Sequence, residues 1–133
     1  MRVSREQMAE NRRRILDAAS RLFREKGFQA VTVAEVMKAA GLTHGGFYGH
    51  FGSKDDLVAE TLAHALAPYT GGRDDLCAYL DAYLSPLHRD NTADGCPTAG
   101  LAADIRHQTA AARVAMTEGL RLQIDRISEA LPG

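Results

Sequence analysis

The residues best suited to chemistry lie in one stretch, LTHGGFYGHFGSKDDL, at positions 42–57. Its side-chain donors are the hydroxyls of Thr43 and Tyr48, the imidazoles of His44 and His50, and the ammonium group of Lys54. Groups of these types bind phosphate oxygens and the edges of bases. Three glycines, at positions 45, 46 and 49, lie between Thr43 and His50, and each costs about 1 kcal/mol relative to alanine inside a helix. The glycines therefore need a structural or a functional reason.

Metal binding and catalysis are two other chemistries that these residue types could support. His44 and His50 are six residues apart, which puts them on different sides of a helix. Zinc sites usually pair histidines more closely, as at i and i+4, and no cysteine lies nearby. The chain also lacks the Ser/His/Asp or Cys/His spacing of a nucleophilic enzyme. We therefore expect no metal site, no cofactor and no enzymatic activity.

The residues before this stretch predict two helices. Apolar residues between Ile15 and Phe23 follow the spacing of one helix face, and Gly27 is a typical C-terminal stop. Thr32 and Glu35 form a capping box, in which each residue satisfies the backbone of the other at a helix start. A long first helix and a short second helix follow from these signals.

The stretch itself is predicted to contain a third helix and the start of a fourth. Gly41 ends the second helix, and the Thr43 side chain is expected to cap a third that runs to about His50. Ser53 caps the fourth, which is expected to continue to Pro68.

The rest of the chain is also predicted to be helical, with a linker at 70–73 and a polar loop at 88–95. Pro97 suits the first turn of a helix that carries Leu101 and Ile105. One apolar stripe is formed by Leu76, Leu80, Tyr83, Leu84 and Leu87. A second is formed by Met116, Leu120, Ile124, Ile127 and Leu131. Because no segment reads as a strand, the predicted fold class is all-α.

The charge of the chain is divided unevenly between its two halves. Residues 1–54 hold ten Lys or Arg and five Asp or Glu, whereas residues 55–133 hold six and twelve. A basic front half suggests a polyanionic partner. No segment approaches the roughly 20 apolar residues of a membrane span, and the N-terminus lacks the pattern of a signal peptide. We expect a cytoplasmic protein without a membrane partner.

Two short helices joined by a glycine-containing turn and supported by a longer helix predict a helix-turn-helix motif. The second helix of such a pair enters the major groove of DNA, so the third helix is the candidate reader. Small residues at Gly45, Gly46 and Gly49 would let its backbone approach DNA closely. His44 is the first candidate for contact with a base edge.

The segment RRRILDAASRLFREKGFQAVTVAEVMKAAGLTHGGFYGHFGSKDDLVAETL, at about 12–62, resembles the DNA-binding domain of TetR-family bacterial transcriptional regulators. The resemblance implies a three-helix DNA-binding domain at 9–69 and a helical effector and dimerisation domain at 70–133. That second domain is expected to be truncated, because the family normally continues with two more long helices. The resemblance also implies a homodimer on palindromic double-stranded operator DNA, released by a small-molecule effector.

By position, the resemblance implies roles for individual residues. Phosphate contacts are implied for Thr32, Thr43, Tyr48, His50 and Lys54. A base-facing role is implied for His44 and for the backbone around Gly45, and Arg12, Arg13 and Arg14 lie where the first helix often approaches the DNA backbone. Gly46, Gly49 and Ala34 depart from the side chains usual at their positions. We therefore expect few direct base contacts and more recognition of DNA shape.

The two cysteines, Cys77 and Cys96, are expected to be free thiols because they have no CxxC spacing. The segment GCPTAGLAADI resembles the start of the sixth helix in a TetR subgroup in which some relatives sense oxidants or electrophiles. Two interpretations of Cys96 remain open. It is either a small buried apolar residue or a reactive thiol whose pKa is lowered at a helix N-terminus.

The sequence favours a DNA-binding regulator, specifically a repressor released by a small effector or an oxidant. The alternative is a protein-interaction module on the same fold without DNA binding. The basic front half argues against that alternative, and the expected absence of two helices argues mildly for it. The second apolar stripe is expected to be covered by a second subunit or by the two missing helices.

Overall fold

The computed structural model describes residues 3–66, 73–94 and 96–131. Within these residues the regular structure is entirely helical, which confirms the predicted all-α fold class. The α-helices are α1 (Arg5–Lys26), α2 (Val33–Ala39), α3 (Lys54–Ala65), α4 (Arg73–Tyr83), α5 (Pro86–Asp90), α6 (Pro97–Leu101) and α7 (Ala110–Ala130). The 3₁₀ helices are His44–Gly49, Thr92–Asp94 and Ile105–His107.

Helix α1 is bounded by a side-chain cap and by a glycine. The Ser4 hydroxyl accepts a hydrogen bond from the backbone N–H of Gln7 at 3.1 Å. At the other end Gly27 has a φ of 85°, and its N–H donates to the Phe23 carbonyl. Phe28 then folds back so that its ring lies 5.1 Å from that of Phe23. The predicted glycine stop is confirmed.

Helix α2 is short because both of its ends are fixed. The Thr32 hydroxyl accepts a hydrogen bond from the Glu35 N–H at 3.1 Å, as the capping box predicts. After the helix, Gly41 has a φ of 75°, which an L side chain rarely adopts. The Arg14 guanidinium donates to the Ala40 carbonyl at 2.6 Å and so connects α1 with the end of α2.

One apolar core lies beneath α1, α2, α3 and α7. Helix α1 packs against both α2 and α3, and α7 packs along α3. The fully buried side chains in this core include Ile15, Phe23, Phe28, Val36, Phe47, Leu57, Leu62 and Leu101. The glycine-rich 3₁₀ helix contributes Phe47 to the core, so the same packing that builds the domain also places the candidate site.

Helix α7 approaches the end of α3 closely because Gly119 has no side chain. Gly119 is buried, and a Cβ built on it would lie 2.6 Å from the Cβ of Leu66. Leu66 is itself buried and follows directly after α3. The backbone of α7 therefore rests on the end of α3, which joins the back half of the chain to the front half.

Several predicted boundaries in the back half are wrong. Helix α3 ends at Ala65 rather than at Pro68, which lies outside the described residues. The predicted linker ends earlier than expected, because Arg73 is the first residue of α4, and residues 70–72 lie outside the described part. Much of the predicted polar loop at 88–95 is helical, since Ser85 caps α5 and a 3₁₀ turn follows.

The helix predicted after Pro97 is shorter than expected. Pro97 does occupy its first turn, but α6 ends at Leu101, and Ile105 begins a separate 3₁₀ turn. Between α6 and this turn the backbone hydrogen bonds span three residues instead of the four of an α-helix. The Asp104 N–H, for example, donates to the Leu101 carbonyl.

The two apolar stripes are only partly buried. The first is divided between α4 and α5, so Leu76 is buried whereas Leu84 and Leu87 are 78% and 77% exposed. In the second, Met116 is buried but Ile124 is 62% exposed. The first stripe is therefore mostly unburied beyond Leu76, and about half of the second faces outward.

We predict that Gly119→Ala destabilises the fold. The added Cβ would meet the Leu66 Cβ at 2.6 Å, and neither atom is the far end of a flexible side chain. We expect a loss of about 1–3 kcal/mol from overpacking, which outweighs the gain of up to about 1 kcal/mol in helix propensity. Urea unfolding measures the change.

Gly100→Ala is the matched control for that measurement. A Cβ at Gly100 would lie 3.4 Å from the Arg24 Cγ, an ordinary contact, so we expect a change within about 0.5 kcal/mol. Equal stability of the Gly119 variant and the wild type would contradict the close packing of α7 on α3.

Candidate nucleic-acid interface

The candidate reader of DNA is the 3₁₀ helix His44–Gly49, called here the glycine-rich turn. It lies between α2 and α3, as predicted, but it is a 3₁₀ helix rather than an α-helix. The prediction that the Thr43 hydroxyl caps it is wrong, because that side chain makes no capping bond. The Gly46 N–H donates to the Thr43 carbonyl instead. The Thr43 hydroxyl thus stays on the surface for another partner.

Phe47 anchors the glycine-rich turn to the protein. Its side chain is fully buried, and its ring stacks on that of Phe51 at 5.5 Å between centroids. Tyr48 lies against the edge of the Phe47 ring at 5.1 Å yet is 70% exposed. One aromatic residue therefore holds the turn while the next presents its hydroxyl to solvent.

The structure leaves most of the predicted contact residues at the surface. The exposed members of the set are Thr32, Thr43, His44, Gly45 and Tyr48. His50 and Lys54 are half-buried at the end of the turn and at the start of α3. Lys54 also lines a crevice of about 280 Å³ together with Gln29 and His107. Five of the predicted residues lie between positions 43 and 50, and Thr32 and Lys54 flank them at two helix starts.

The three consecutive arginines of α1 have partners within the protein. Arg12 pairs with Glu60, and its other terminal nitrogen donates to the His50 carbonyl at 2.8 Å. Arg13 pairs with Glu10 and more distantly with Asp17. The Arg14 guanidinium is bound to α2, as described above. All three guanidinium groups are thus engaged within the protein, and their approach to DNA stays a prediction.

His50 has an altered pKa. Burial, followed by the positive charge of Arg12, lowers the pKa of His50 from its ordinary value of 6.5. The neutral imidazole therefore predominates at pH 7, and it offers one N–H donor and one acceptor nitrogen.

Two pairs of side chains connect α1 with α3 behind the glycine-rich turn. The first is Arg12 with Glu60, and the second is His64 with Asp17, whose atoms Nε2 and Oδ1 lie 2.7 Å apart. These groups are partly exposed to solvent, so each pair contributes little free energy of folding. Their value is geometric, because they fix the side of α3 that faces α1.

The surroundings of Cys96 act on the pKa of its thiol. It is half-buried and lies directly before α6, while Cys77 is exposed, and both thiols are free as expected. Burial raises the pKa of the Cys96 thiol, but hydrogen bonds from the Tyr83 hydroxyl and from backbone N–H groups at the start of α6 outweigh it, so the pKa is lowered. The same hydrogen bond, with burial, raises the pKa of Tyr83 to about 12.

In the described part of the chain, no group of three or more His, Cys, Asp or Glu side chains lies close enough together to hold a metal ion. None of the helices described is long and apolar enough to cross a bilayer.

The front half of the chain matches a known family. Residues 15–61 match the model of the bacterial regulatory proteins of the tetR family. This segment contains α2, the glycine-rich turn and most of α1 and α3. These residues form a domain of the TetR family.

Two curated relatives show how far the TetR-family similarity extends. The HTH-type transcriptional regulator AcrR of Shigella flexneri is 42% identical over 59 residues, which cover 44% of this chain and 27% of AcrR. The HTH-type transcriptional repressor NemR of Escherichia coli K12 is 28% identical over 134 residues, which cover 92% of this chain and 67% of NemR. The chain thus spans about a quarter of the first relative and two thirds of the second.

Solved TetR-family structures share the fold. A crystal structure of a TetR/AcrR-family transcriptional regulator superposes with a TM-score of 0.70 at 26% identity, over 92% of this chain and 69% of that one. The reduced form of E. coli NemR superposes with a TM-score of 0.67 at 24% identity, over 91% of this chain and 69% of that one. The similarity therefore includes the back half as well as the TetR-type front half.

We predict that the His50 ring titrates below pH 6.5 in the folded protein. The unfolded chain then binds a proton to this residue more readily than the folded chain does. His50 therefore does not affect the free energy of unfolding above about pH 6.5, and it lowers that free energy as the pH falls through this value. NMR titration of the ring measures the midpoint.

The variant His50→Gln provides the control, because it should lose less stability between pH 7 and pH 5 than the wild type. A His50 midpoint at or above 6.5 would show that burial and Arg12 do not act on the ring as described.

Proposed function

We propose that this chain is a DNA-binding transcriptional regulator, specifically a repressor, and that its glycine-rich turn contacts double-stranded operator DNA. The observation that carries the proposal is the surface of this turn, where Phe47 is buried while Thr43, His44 and Tyr48 are exposed. The turn lies inside the segment that matches the TetR family, and relatives of that segment are named transcriptional regulators and repressors.

The proposed contacts divide into two groups. Phosphate oxygens would be bound by Thr32, Thr43, Tyr48, His50 and Lys54, all of which carry a donor at or near the surface. Base edges would be approached by His44 and by the backbone at Gly45. Because His50 is mostly neutral at pH 7, its contact would be a hydrogen bond rather than an ion pair.

The protein's own packing does not require the glycines at positions 45 and 49. Among the described glycines, positive φ values occur at Gly27 and Gly41 and not in the glycine-rich turn. A Cβ at Gly45 or Gly49 would meet no atom within 4 Å. A close approach of the backbone to DNA would require open space beside these glycines, so this geometry supports the proposed interface.

The rest of the proposal concerns assembly and release. We propose a DNA-binding domain at 9–69 and a helical effector and dimerisation domain at 70–133, in a cytoplasmic homodimer on palindromic DNA. The exposed apolar residues of α5 and α7 are suitable for a further helix or subunit to cover. No catalytic activity or cofactor is proposed.

Release of DNA is proposed to follow binding of a small effector or oxidation in the helical domain. Cys96 is the candidate for the second route, because its thiol pKa is lowered by the Tyr83 hydroxyl and by the start of α6. The E. coli NemR structure is described as a reduced form, so a redox state is distinguished in that relative. No observation favours the alternative of an interaction module without DNA binding.

We predict that Lys54→Ala weakens binding to all DNA sequences about equally. Loss of one phosphate contact should lower the slope of log affinity against log salt concentration by about one. Gel-shift titration with the DNA upstream of the protein's own gene, at several salt concentrations, measures both quantities. Tyr48→Phe should weaken binding without changing the slope, because the lost hydroxyl carries no charge.

Arg126→Ala controls for the loss of a positive charge elsewhere, because Arg126 pairs with Glu129 on the surface of α7. It should leave affinity and slope unchanged. If Lys54→Ala alters sequence preference while the slope stays the same, Lys54 does not bind phosphate. If the wild-type protein binds no such DNA, the proposed function is wrong.

We predict that Gly49→Ala separates stability from DNA binding. Alanine should stabilise the helical turn by up to about 1 kcal/mol, because the added methyl group meets no atom of the protein. The same methyl group should reduce DNA affinity by occupying the space that the backbone approach requires. A variant that is more stable and binds DNA as tightly as the wild type would contradict this role for Gly49.

A further inference from the structure

The glycine-rich turn has little within itself to hold its shape. It is a 3₁₀ helix, which has poorer hydrogen-bond geometry than an α-helix, and it contains three glycines. Its first residue is not capped by the side chain of Thr43. Phe47 anchors the middle of the turn, and the end that leads from Tyr48 to His50 gains a further contact from outside the turn.

That interaction comes from Arg12 on α1. One terminal nitrogen of Arg12 donates to the His50 carbonyl at 2.8 Å, and the other donates to the Glu60 carboxylate. The face of the guanidinium lies over the Phe51 ring, 4.5 Å from its centre. A single side chain therefore joins α1, the end of the glycine-rich turn and α3.

We propose that Arg12 is a positioning residue for DNA binding, which fixes the end of the glycine-rich turn, and with it Tyr48 and His50, without contacting DNA itself. The DNA-binding part of this inference rests on the proposed function. The positioning part concerns the free protein and holds or fails independently of DNA.

The chemistry of arginine suits this task better than that of lysine. The guanidinium is planar, so it can direct N–H groups at two acceptors while its face rests on an aromatic ring. The last carbonyl groups of a helix have no hydrogen-bond partner within the helix. Arginine provides the His50 carbonyl, at the end of the turn, with a charged donor. Lysine would keep the charge but lose the fork and the flat face.

The contact with Glu60 sets the direction of the guanidinium more than it adds stability. The side chains of Arg12 and Glu60 are 34% and 44% exposed, and ion pairs at such positions contribute little. Glu60 is on α3, which begins after the turn, so the pair spans the turn from both sides. The same contacts engage the charge of Arg12 within the protein and leave phosphate binding to other residues.

The test compares Arg12→Met, Arg12→Lys and Glu60→Gln with the wild type. Arg126→Met is the control for the loss of an arginine in an ion pair, since Arg126 pairs with Glu129 on the surface of α7, outside the candidate interface. Hydrogen exchange of the His50 and Phe51 amides, both bonded to the Phe47 carbonyl, reports the order of the turn in the free protein. Gel shifts at several salt concentrations report DNA binding.

We expect Arg12→Met to speed exchange of the two amides and to weaken DNA binding by roughly tenfold to hundredfold, the value of a hydrogen bond to a charged group. The salt slope should not change. Arg12→Lys should recover only part of the loss, Glu60→Gln should cause a smaller one, and Arg126→Met should behave as the wild type. If the methionine variant does not fold, Arg12→Lys and Glu60→Gln still test the inference through the same two measurements.

Two results would overturn the inference. One is exchange of the His50 and Phe51 amides at the wild-type rate in Arg12→Met, which would show that Arg12 does not order the turn. The other is a salt slope that falls by about one, which would make Arg12 a phosphate contact. A wild-type protein that binds no DNA would refute the proposed function instead, and the exchange rates would still decide the positioning role.

Discussion

Burial of Phe47 is the interaction on which the candidate DNA-binding surface depends. Burying a phenylalanine side chain contributes about 1.5–3 kcal/mol, whereas each glycine inside a helix costs about 1 kcal/mol. The three glycines of the turn together therefore cost at least as much as its one fully buried side chain supplies. The turn holds its form because α2 packs against it and Arg12 of α1 binds the carbonyl at its end.

Glycines serve three different physical purposes in this chain. Gly27 and Gly41 adopt positive φ values where helices end, so the backbone itself requires them. Gly119 removes a side chain where two helices touch. Gly45 and Gly49 meet neither condition, because their φ values are ordinary and the space before them is open. A residue type that the fold does not need, on a surface of hydrogen-bond donors, is best explained by what the surface binds.

The sequence predicted those parts of the structure that local signals control. Four local predictions are confirmed, because each signal acts within four residues. They are Gly27 as a stop, the Thr32 and Glu35 box, Ser53 as a cap and Pro97 in a first turn. The contacts of Arg12 could not be predicted, since Glu60 and His50 are 48 and 38 residues away and no spacing rule connects them. The 3₁₀ form of the turn was missed for a related reason, because aromatic packing overrides the cap at Thr43.

Helix α1 also provides a physical connection between the back half of the chain and the glycine-rich turn. Gly100 of α6 packs on Arg24, and the Asp104 carboxylate lies so close to Gly27 that a Cβ there would meet it at 2.8 Å. Both contacts lie at the end of α1, whereas Arg12 holds the turn from the same 22-residue helix. Helix α6 and the turn that follows it therefore lie directly against the end of α1. Any change at Cys96, directly before α6, therefore acts close to the helix that positions the candidate DNA-binding surface.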